Sequence, residues 1–482
     1  MPEYQHWLTH KDLYGGISSV TIMGMTLVLI HDKEMAHELL DKMASKTSGR
    51  PSTVMANKLC GYESIVVAQG YTPTLRRCRK YMHQEFGTTV SAARFRDTQE
   101  IEIGRQLVRT LKEPGKWLDH YRTAATATIL KMAYGYAIEP HRPDALVTLM
   151  EKTVHEFSLA AVPMAWAVDI IPALQYLPEN FPGAGFKKTA SEWRKSVVTA
   201  AHIPYRFVQS QMAALTHRPS YVSRLVEQLK EEGDSKLGGE DEEAIIWSAT
   251  TLYGAATDST VVTLTTFTLA MIKFEHVQRK AQEELDRVVG AHRLPTFEDR
   301  PNLPYINALV KETTRWWSIT PMGFPHAATE DIEFNGFHIP NGAYLIPAVW
   351  WFLHDPQVYA DPESFDPDRF LPPRNEPDPA TEVFGYGRRV CPGRFVGDSA
   401  LYLNIAQSLA VYKFTKPVGR DGKKVDVDVK PTPGIVAYPS EFGFRIEPRS
   451  EKSEELIREF ERRHPFDKGD AELLGDPNTM RV

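Results

Sequence analysis

Cys391 lies in the decapeptide FGYGRRVCPG at positions 384–393, and this segment constrains the possible folds of the chain more than any other. Its glycines permit a tight turn that places backbone N–H groups beside the sulfur, where they stabilise a thiolate. Phe384 can cover the sulfur, and Arg389 can bind a carboxylate through two charge-assisted hydrogen bonds. This combination suits the axial ligand of a heme iron, because thiolate donation favours cleavage of the O–O bond.

The same ten residues match the signature F-x-x-G-x-R-x-C-x-G of the cytochrome P-450 superfamily. The fixed positions are occupied by Phe384, Gly387, Arg389, Cys391 and Gly393. A free cysteine buried in a glycine-rich turn is the alternative, but it does not require the other four residues. The chain resembles heme-thiolate monooxygenases, especially eukaryotic microsomal members from filamentous-fungal secondary metabolism. The resemblance implies that Cys391 is the axial ligand of heme b and that the other four residues shape the cofactor site around it.

The resemblance, which extends to about residue 449, also implies the fold class. It implies a mainly α fold with a smaller β region, in which heme b lies between a long central helix and the cysteine loop. The apolar pattern agrees, because it predicts helices through most of 94–290 and short strands with proline-rich turns after Pro321.

No Gly/Ser linker, low-complexity tract or repeat divides the sequence. We therefore expect a single heme-thiolate monooxygenase domain at 1–450. The charged residues that follow, 451–482, predict a polar, solvated and partly disordered tail.

The composition excludes several classes of protein. The net charge of −6 argues against nucleic-acid binding, which normally needs a basic excess. Three cysteines are too few for a disulfide framework and fit a reducing compartment. The most apolar early stretch, 17–30, is too short and polar to span a bilayer, which needs about 20 apolar residues, and instead predicts two strands at 20–22 and 27–29. Microsomal relatives sit on the cytosolic face of the endoplasmic reticulum membrane, whereas this sequence predicts a soluble or peripheral chain.

Glu312 and Arg315 lie at positions i and i+3 of a predicted helix, so their side chains can pair on one face. Such a pair is common, and at a surface it contributes only about 0–1 kcal/mol. The resemblance adds a later P-x-R-F element whose arginine is Arg369, and it implies that the three residues form a buried charged triad. The implied role is structural, fixing the core on the heme side.

Asp258 and Ser259 interrupt a long apolar helix predicted at about 242–271. One interpretation is structural, with the serine hydroxyl bonded to the carbonyl four residues earlier. The segment also resembles the oxygen-binding sequence [AG]-G-x-[DE]-T-[TS], with Ala256 in place of the glycine and Ser259 in place of the threonine. The resemblance implies that Asp258 and Ser259 relay protons to bound dioxygen, with Thr260 as a further candidate.

Three basic residues are candidate ligands of the heme propionates. Arg389 belongs to the cysteine loop, and Arg79 falls on the arginine of a W-x-x-x-R element in which Leu75 replaces the tryptophan. His326 occupies a position where eukaryotic relatives use histidine or arginine. The resemblance implies propionate binding by all three, although a buried structural histidine remains an alternative for His326.

The resemblance further implies insertion of one oxygen atom from O2 into a hydrophobic small molecule, such as a polyketide, terpenoid or alkaloid intermediate. The expected contacts, which are largely apolar, come from 54–67, 246–254, 319–324 and 434–438. Desaturation, epoxidation, ring closure and oxidative coupling stay open as outcomes, as does a heme-binding protein without oxygenase activity.

Electrons would come from NADPH indirectly, through NADPH–cytochrome P-450 reductase, with cytochrome b5 as a further candidate partner. Basic residues near the cysteine loop predict a docking patch that would steer an acidic flavoprotein. The patch consists of Arg76, Arg77, Lys311, Arg388 and Arg394.

Overall fold

The computed structural model describes residues 3–231, 238–419 and 422–474, and most of these are helical. The α-helices are α1 Glu3–Tyr14, α2 Lys33–His37, α3 Ala44–Thr47, α4 Pro73–Phe86, α5 Thr89–Ala92, α6 Arg96–Lys112, α7 Trp117–Tyr134, α8 Ala145–Ala160 and α9 Ala167–Ile170. They continue with α10 Gly185–Ala213, α11 Tyr221–Glu231, α12 Gly239–Lys273, α13 Glu275–Val288, α14 Pro304–Trp316, α15 Val349–His354, α16 Ala380–Val383, α17 Arg394–Val411 and α18 Glu451–Arg463. Glu38–Lys42 and Val54–Leu59 are π-helical turns.

The strands form three small sheets. They are β1 Ile17–Ile22, β2 Met25–Ile30, β3 His326–Ala327, β4 Ile332–Phe334, β5 Phe337–Ile339, β6 Tyr344–Pro347, β7 Tyr412–Thr415 and β8 Arg445–Pro448. The largest sheet has the order β1-β2-β6-β3, and the others pair β4 with β5 and β7 with β8. β1 and β2 contain the two strands predicted at 20–22 and 27–29; they are antiparallel and turn at Met23 and Gly24, both with positive φ. β6 joins β2 in parallel and so brings the segment after α14 against the amino-terminal strands.

The central element is α12, which is 35 residues long. Its apolar residues face several directions because α4, α7, α10 and α17 all pack around it. Ile245, Phe267 and Ile272 are fully buried, and each such side chain stabilises the fold by about 1.5–3 kcal/mol. By length and composition α12 is the one described helix that could cross a membrane, but 72% of its most apolar window is buried inside the protein.

The carboxy-terminal segment differs from the predicted solvated tail. In α18, Ile457 is buried and Phe460 packs against Gly104 of α6, where a Cβ atom would lie 2.1 Å from the phenyl ring. Beyond the helix, Asp467 pairs with cations of α6 and α7, and buried Asp470 accepts a hydrogen bond from the backbone N–H of Ala137 at 2.7 Å. The expectation of a solvated, partly disordered tail is therefore wrong for 451–474, because one face of the charged helix is apolar; residues 475–482 lie outside the described residues.

Candidate active site

The Cys391 loop joins α16 to α17 and is shaped by backbone contacts. The N–H of Cys391 donates to the carbonyl of Phe384 at 2.8 Å, which closes the turn. Gly387 has φ +51°, and a Cβ atom there would lie 2.3 Å from the carbonyl oxygen of Leu40, so only glycine fits. Its N–H donates to the Asp41 carboxylate, which ties the loop to the amino-terminal region.

The environment of the Cys391 sulfur sets its protonation. Burial raises the pKa of the thiol, while the N–H of Gly393 and the charges of Arg79 and Arg394 favour the thiolate. The side chain is only half-buried, because the loop leaves it facing open space. A sulfur with a backbone N–H and two cations near it is suited to bind a metal centre as a thiolate.

The three charged residues from α14 and the loop after α15 lie together. Arg315 donates to both carboxylate oxygens of Glu312, at 2.7 and 2.9 Å, and Arg369 donates to one of them at 3.0 Å. All three are fully buried. Other guanidinium hydrogens bind backbone carbonyls of Leu353, Pro362, Ser364, Ala360 and Asp361, and Nη1 of Arg369 also donates to the Glu376 carboxylate at 2.7 Å. The network is saturated, so it is a scaffold that holds these loops against α14.

Arg79 and Arg389 lie in a cluster together with His326 and an arginine that the sequence analysis missed, Arg50; Arg389 and His326 are buried, and Arg50 and Arg79 are half-buried. Arg389 donates to the carbonyls of Ser48 and Gln69 at 2.8 and 2.7 Å. Arg79 donates to the carbonyl of Val390, next to the cysteine, at 2.6 Å. Their only hydrogen-bond partners among the described residues are neutral carbonyls.

Arg50 completes this cluster from the segment before the Val54–Leu59 turn. It donates to the carbonyls of Phe324 and Pro325 at 2.9 and 2.8 Å, and its buried Nε has no partner among the described residues. Burial, Arg389 and Arg79 lower the pKa of Arg50 to about 9. Neither Arg50 nor the other two arginines of the cluster forms an ion pair with any residue that the structure describes. Three mutually repelling guanidinium groups without a carboxylate indicate a site for an anionic ligand.

His326 is buried in the same cluster but differs from the arginines. Its Nδ1 lies 2.9 Å from the carbonyl of Thr47, which fixes Nδ1 as the donor. Burial, followed by the charges of Arg50 and Arg389, lowers the pKa of His326 to about 3. The neutral ring therefore presents a lone pair at Nε2, and it cannot donate to an anion without taking up a proton.

The middle of α12 is less buried than the rest of the helix. Ala255 is exposed although residues 244–253 and 261–272 are mostly buried, so the helix borders an open space at this point. Ser259 Oγ donates to the carbonyl of Ala255 at 2.8 Å. Burial raises the pKa of the Asp258 carboxyl, and a hydrogen bond from Tyr438 and the charge of Arg122 oppose that rise.

Comparison with known proteins gives the family. The cytochrome P450 family model matches residues 3–442 of the chain. The chain is a cytochrome P450. It is 46% identical to cytochrome P450 monooxygenase CLM2 of Gibberella zeae over 98% of this chain and 89% of that protein. It is 44% identical to the multifunctional cytochrome P450 monooxygenase af510 of Aspergillus fumigatus, over 99% and 90% of the two chains.

Two further comparisons concern a more distant relative and the fold. The P450 is 37% identical to O-methylsterigmatocystin oxidoreductase of Aspergillus flavus, over 98% of this chain and 88% of that protein. A solved zebrafish cytochrome P450, determined with abiraterone, superimposes with a TM-score of 0.71 at 20% identity, over 93% of this chain and 100% of that one. The predicted mainly α fold with a small β region is confirmed, and membership makes the protein a heme-thiolate monooxygenase that uses O2 and a small-molecule substrate.

The residues of this P450 fit the heme that the family requires. Cys391 offers a sulfur whose thiolate form is favoured by the Gly393 N–H and two cations, and the arginine cluster offers guanidinium groups without an internal counter-ion. Heme b carries two propionate carboxylates, which match that unbalanced charge. Leu75 cannot supply the indole N–H of the usual tryptophan, and Arg50 provides a charged donor in the same cluster.

The four segments expected to contact substrate in the P450 are joined to one another in two pairs by hydrogen bonds. The N–H of Val66 donates to Oγ1 of Thr251 in α12 at 3.1 Å, and the N–H of Ala437 donates to the carbonyl of Ile319 at 2.8 Å. Phe324 and Ile435 keep 41% and 43% of their surface exposed. Exposed apolar side chains on these segments are consistent with a hydrophobic substrate.

Two of the five cations in the predicted basic patch pair with carboxylates in the structure. Lys311 pairs with Asp378 at 2.6 Å, and Arg77 pairs with Glu240 at 2.6 Å, so these two cations are neutralised locally. The other three, Arg76, Arg388 and Arg394, form no ion pair within the described ranges. They contact aromatic rings instead, those of Tyr71 and Phe395.

Proposed function

We propose that this P450 inserts one atom of O2 into a hydrophobic secondary-metabolite intermediate, with electrons from NADPH delivered by a reductase. The observation that carries the proposal is the open space at the exposed midpoint of α12, beside the hydroxyl of Ser259 and the carboxyl of Asp258. An apolar space with one acid and one alcohol suits a reaction that consumes protons next to an apolar substrate.

The residues that would bind heme are inferred from Cys391 and from the arginine cluster, which has no carboxylate partner among the described residues. Cys391 would bind the heme iron, and bound heme would supply the one-electron and oxygen chemistry. Arg50, Arg79 and Arg389 would hold the propionates through charge-assisted hydrogen bonds. His326, neutral and bonded to Thr47, would act mainly as a structural support of this cluster. Phe384, Gly387 and Gly393 would keep the cysteine loop in its turn.

Protons would reach the open space through Asp258 and Ser259. The raised pKa of Asp258 brings its carboxyl closer to neutrality, so that it can both take up and release a proton. Ser259 Oγ, now bonded to the Ala255 carbonyl, can pass a proton on by rotating about χ1. Because serine lacks the methyl group of threonine, it rotates more freely. Thr260 is half-buried one position further and is the alternative hydroxyl.

The names of two relatives support the substrate class. One relative is an O-methylsterigmatocystin oxidoreductase, and another is described as multifunctional. Both are consistent with a bulky secondary-metabolite intermediate, and the second supports more than one oxidative outcome, such as desaturation, epoxidation, ring closure or coupling after a first hydroxylation. The exposed apolar residues Phe324 and Ile435 agree with such a substrate.

The partners follow from the need for single electrons. NADPH–cytochrome P-450 reductase would dock at Arg76, Arg388 and Arg394, and cytochrome b5 would be a second donor at the same patch. These contacts would place the protein at the cytosolic face of the endoplasmic reticulum membrane. Replacing Arg388 and Arg394 by glutamate should raise the apparent Michaelis constant for the reductase at low salt. An unchanged constant would contradict docking at this patch.

Two measurements test the proposed function. The reduced protein with carbon monoxide should give the absorption band of heme-thiolate, and Cys391→Ser should abolish it while Cys78→Ser, at another buried cysteine, should not. With reductase, NADPH and 18O2, extracts that contain the pathway intermediate should yield a product carrying one 18O atom. NADPH consumption without a labelled product in any extract would contradict oxygen insertion and favour a dehydrogenating or coupling outcome.

A further inference from the structure

Two carboxylates hold the start of the cysteine loop. Asp41, in the π-helical turn after α2, accepts a hydrogen bond from the backbone N–H of Gly387. Glu382 of α16 accepts one from the hydroxyl of Tyr386 at 2.7 Å, and both of these side chains are buried. Burial raises the pKa of Tyr386, so this hydroxyl keeps its proton. The loop is therefore tied at two consecutive residues, one by a side chain and the next by its backbone.

His37, at the end of α2, joins these two carboxylates. Its Nδ1 lies 2.6 Å from Oδ2 of Asp41, and its Nε2 lies 3.0 Å from Oε1 of Glu382. The ring also packs edge-on against the ring of Tyr386, with 5.3 Å between the centroids. A neutral imidazole has one N–H and can donate to one carboxylate, whereas donation to both requires the doubly protonated ring. The geometry is that of an imidazolium bridge.

The charges around the bridge balance when His37 is protonated. Lys33 lies 3.0 Å from the Glu382 oxygen that also faces His37. For Asp41, His37 is the one ion-pair partner that the described part of the chain provides. Two cations then face two carboxylates. Burial favours the neutral ring, but the hydrogen bonds to Asp41 and Glu382 outweigh it and raise the pKa of His37.

The other charged groups near this turn have partners of their own. Lys42 pairs with Glu38 within the same turn, at 3.6 Å. Arg388 of the cysteine loop donates to the hydroxyl of Tyr71 at 2.6 Å. The link between the two carboxylates therefore depends on His37.

We propose that His37 is a positioning residue for Cys391, acting as an imidazolium that joins the two carboxylates at the start of the cysteine loop. The proposal rests on the proposed function, because it takes Cys391 as the axial ligand of heme. Below the ordinary histidine pKa of 6.5 the bridge contributes its full stabilisation, which is lost as the pH rises through the higher pKa of His37 in the folded protein. Above that pKa one ring nitrogen presents a lone pair to a carboxylate, and one of the two hydrogen bonds is lost.

Histidine nuclear magnetic resonance of the reduced carbon monoxide complex measures the protonation of His37 without turnover. The resonance that is absent in His37→Gln is the one of His37. Its midpoint should lie above the ordinary value of 6.5. The midpoint should fall toward that value in Asp41→Asn, which removes the charge of one bridging carboxylate. A wild-type midpoint at or below 6.5 would overturn the proposal.

Loss of the heme-thiolate absorption band from the same complex measures how firmly the loop holds the sulfur. Below pH 6.5, His37→Gln should lose the band about tenfold faster than the wild type, as expected for one charge-assisted hydrogen bond. The wild-type rate should rise with pH through the midpoint of the His37 resonance, and the rate of His37→Gln should lack that step. The matched control is His338→Gln, at an exposed histidine that lies 2.8 Å from Glu333, and it should follow the wild type. Equal rates in wild type and His37→Gln below pH 6.5 would refute the positioning role.

A second variant separates positioning from general stability. Asp41→Asn should also speed loss of the band, and adding it to His37→Gln should change little, because both remove the same bridge. Strict additivity would contradict the bridge. The urea midpoint of the heme-free protein should stay near the wild-type value in both single variants, since Asp41 is exposed and His37 half-buried. A fall in that midpoint large enough to account for the faster loss would give His37 a purely structural role instead. If the wild type shows no heme-thiolate band, the proposed function fails, and the His37 resonance of the heme-free protein still decides the bridge.

Discussion

At the residue scale, some residues of the candidate site could be predicted from sequence motifs and others could not. Cys391, Arg389 and Arg79 were predictable because each belongs to a short motif with fixed spacing. Arg50 was not, because its partners are the carbonyls of Phe324 and Pro325, more than 270 positions away. No local pattern marks an arginine whose hydrogen-bond partners lie in a distant loop.

Arg50→Gln should weaken heme binding. Losing one charge-assisted hydrogen bond of about 1.5–3 kcal/mol should speed heme transfer to apomyoglobin about tenfold or more. In the heme-free protein the same substitution should cost little stability, since it relieves repulsion with Arg79 and Arg389. Arg458→Gln, at an exposed arginine of α18, is the control. Equal heme transfer from wild type and Arg50→Gln would exclude Arg50 from the propionate site.

His354 should make the fold acid-sensitive. Its pKa is lowered to about 3 by burial, Arg315 and Arg369, so the folded state keeps the ring neutral while the unfolded chain binds a proton below pH 6.5. The stability that it contributes is present above pH 6.5 and is lost as the pH falls toward 3. His354→Gln should reduce the stability lost between pH 6.5 and 5 by about 2 kcal/mol in urea unfolding, whereas the exposed His292→Gln should not.

At the element scale, helices and strands with strong local signals were predicted well. The helix predicted to carry Glu312 and Arg315 is α14, Pro304–Trp316, and the two predicted amino-terminal strands pair with each other. The segment after residue 450 was predicted wrongly because its charge dominates its composition. Its fold depends on the packing of Ile457 and Phe460 against α6. The spacing of apolar residues within one helix does not show which distant helix it packs against.

Gly104→Ala should destabilise the packing of α18. The new methyl group would overlap the ring of Phe460, and such overpacking costs about 1–3 kcal/mol. Phe460→Ala should remove the penalty, so the double variant should be less destabilised than the sum of the two single variants in thermal unfolding. Strict additivity would show that Gly104 and Phe460 do not constrain each other.

At the scale of the whole molecule, the fold class was predictable because one motif identified a family with a known architecture, and the match to that family then confirmed it. The arrangement of charges was not predictable. The buried triad needs α14 and the loop after α15 in contact, and the arginine cluster needs segments from both ends of the chain. These networks arise only when the tertiary fold is complete.

Glu312→Gln should affect the molecule as a whole. It removes the carboxylate shared by Arg315 and Arg369 and leaves Arg369 paired with Glu376 alone, and breaking a buried ion pair costs about 3–5 kcal/mol. We expect lower yield, lower heme content and a lower unfolding midpoint in urea, all measured against Glu459→Gln on the exposed face of α18. A normal midpoint and full heme content would refute the scaffold role of the triad.

The contacts of Asp470 set an order in which the molecule can be completed during synthesis. This carboxylate binds the backbone of Ala137 and the guanidinium of Arg218, yet it is translated about 250 residues after the second of them. Domains begin to fold while the chain is still growing from its amino terminus. The helices around Arg218 can therefore form this contact with Asp470 only after residue 470 has left the ribosome. Cys391, which we propose as the heme ligand, is also translated well after Arg218, so heme binding would fall in the same late interval.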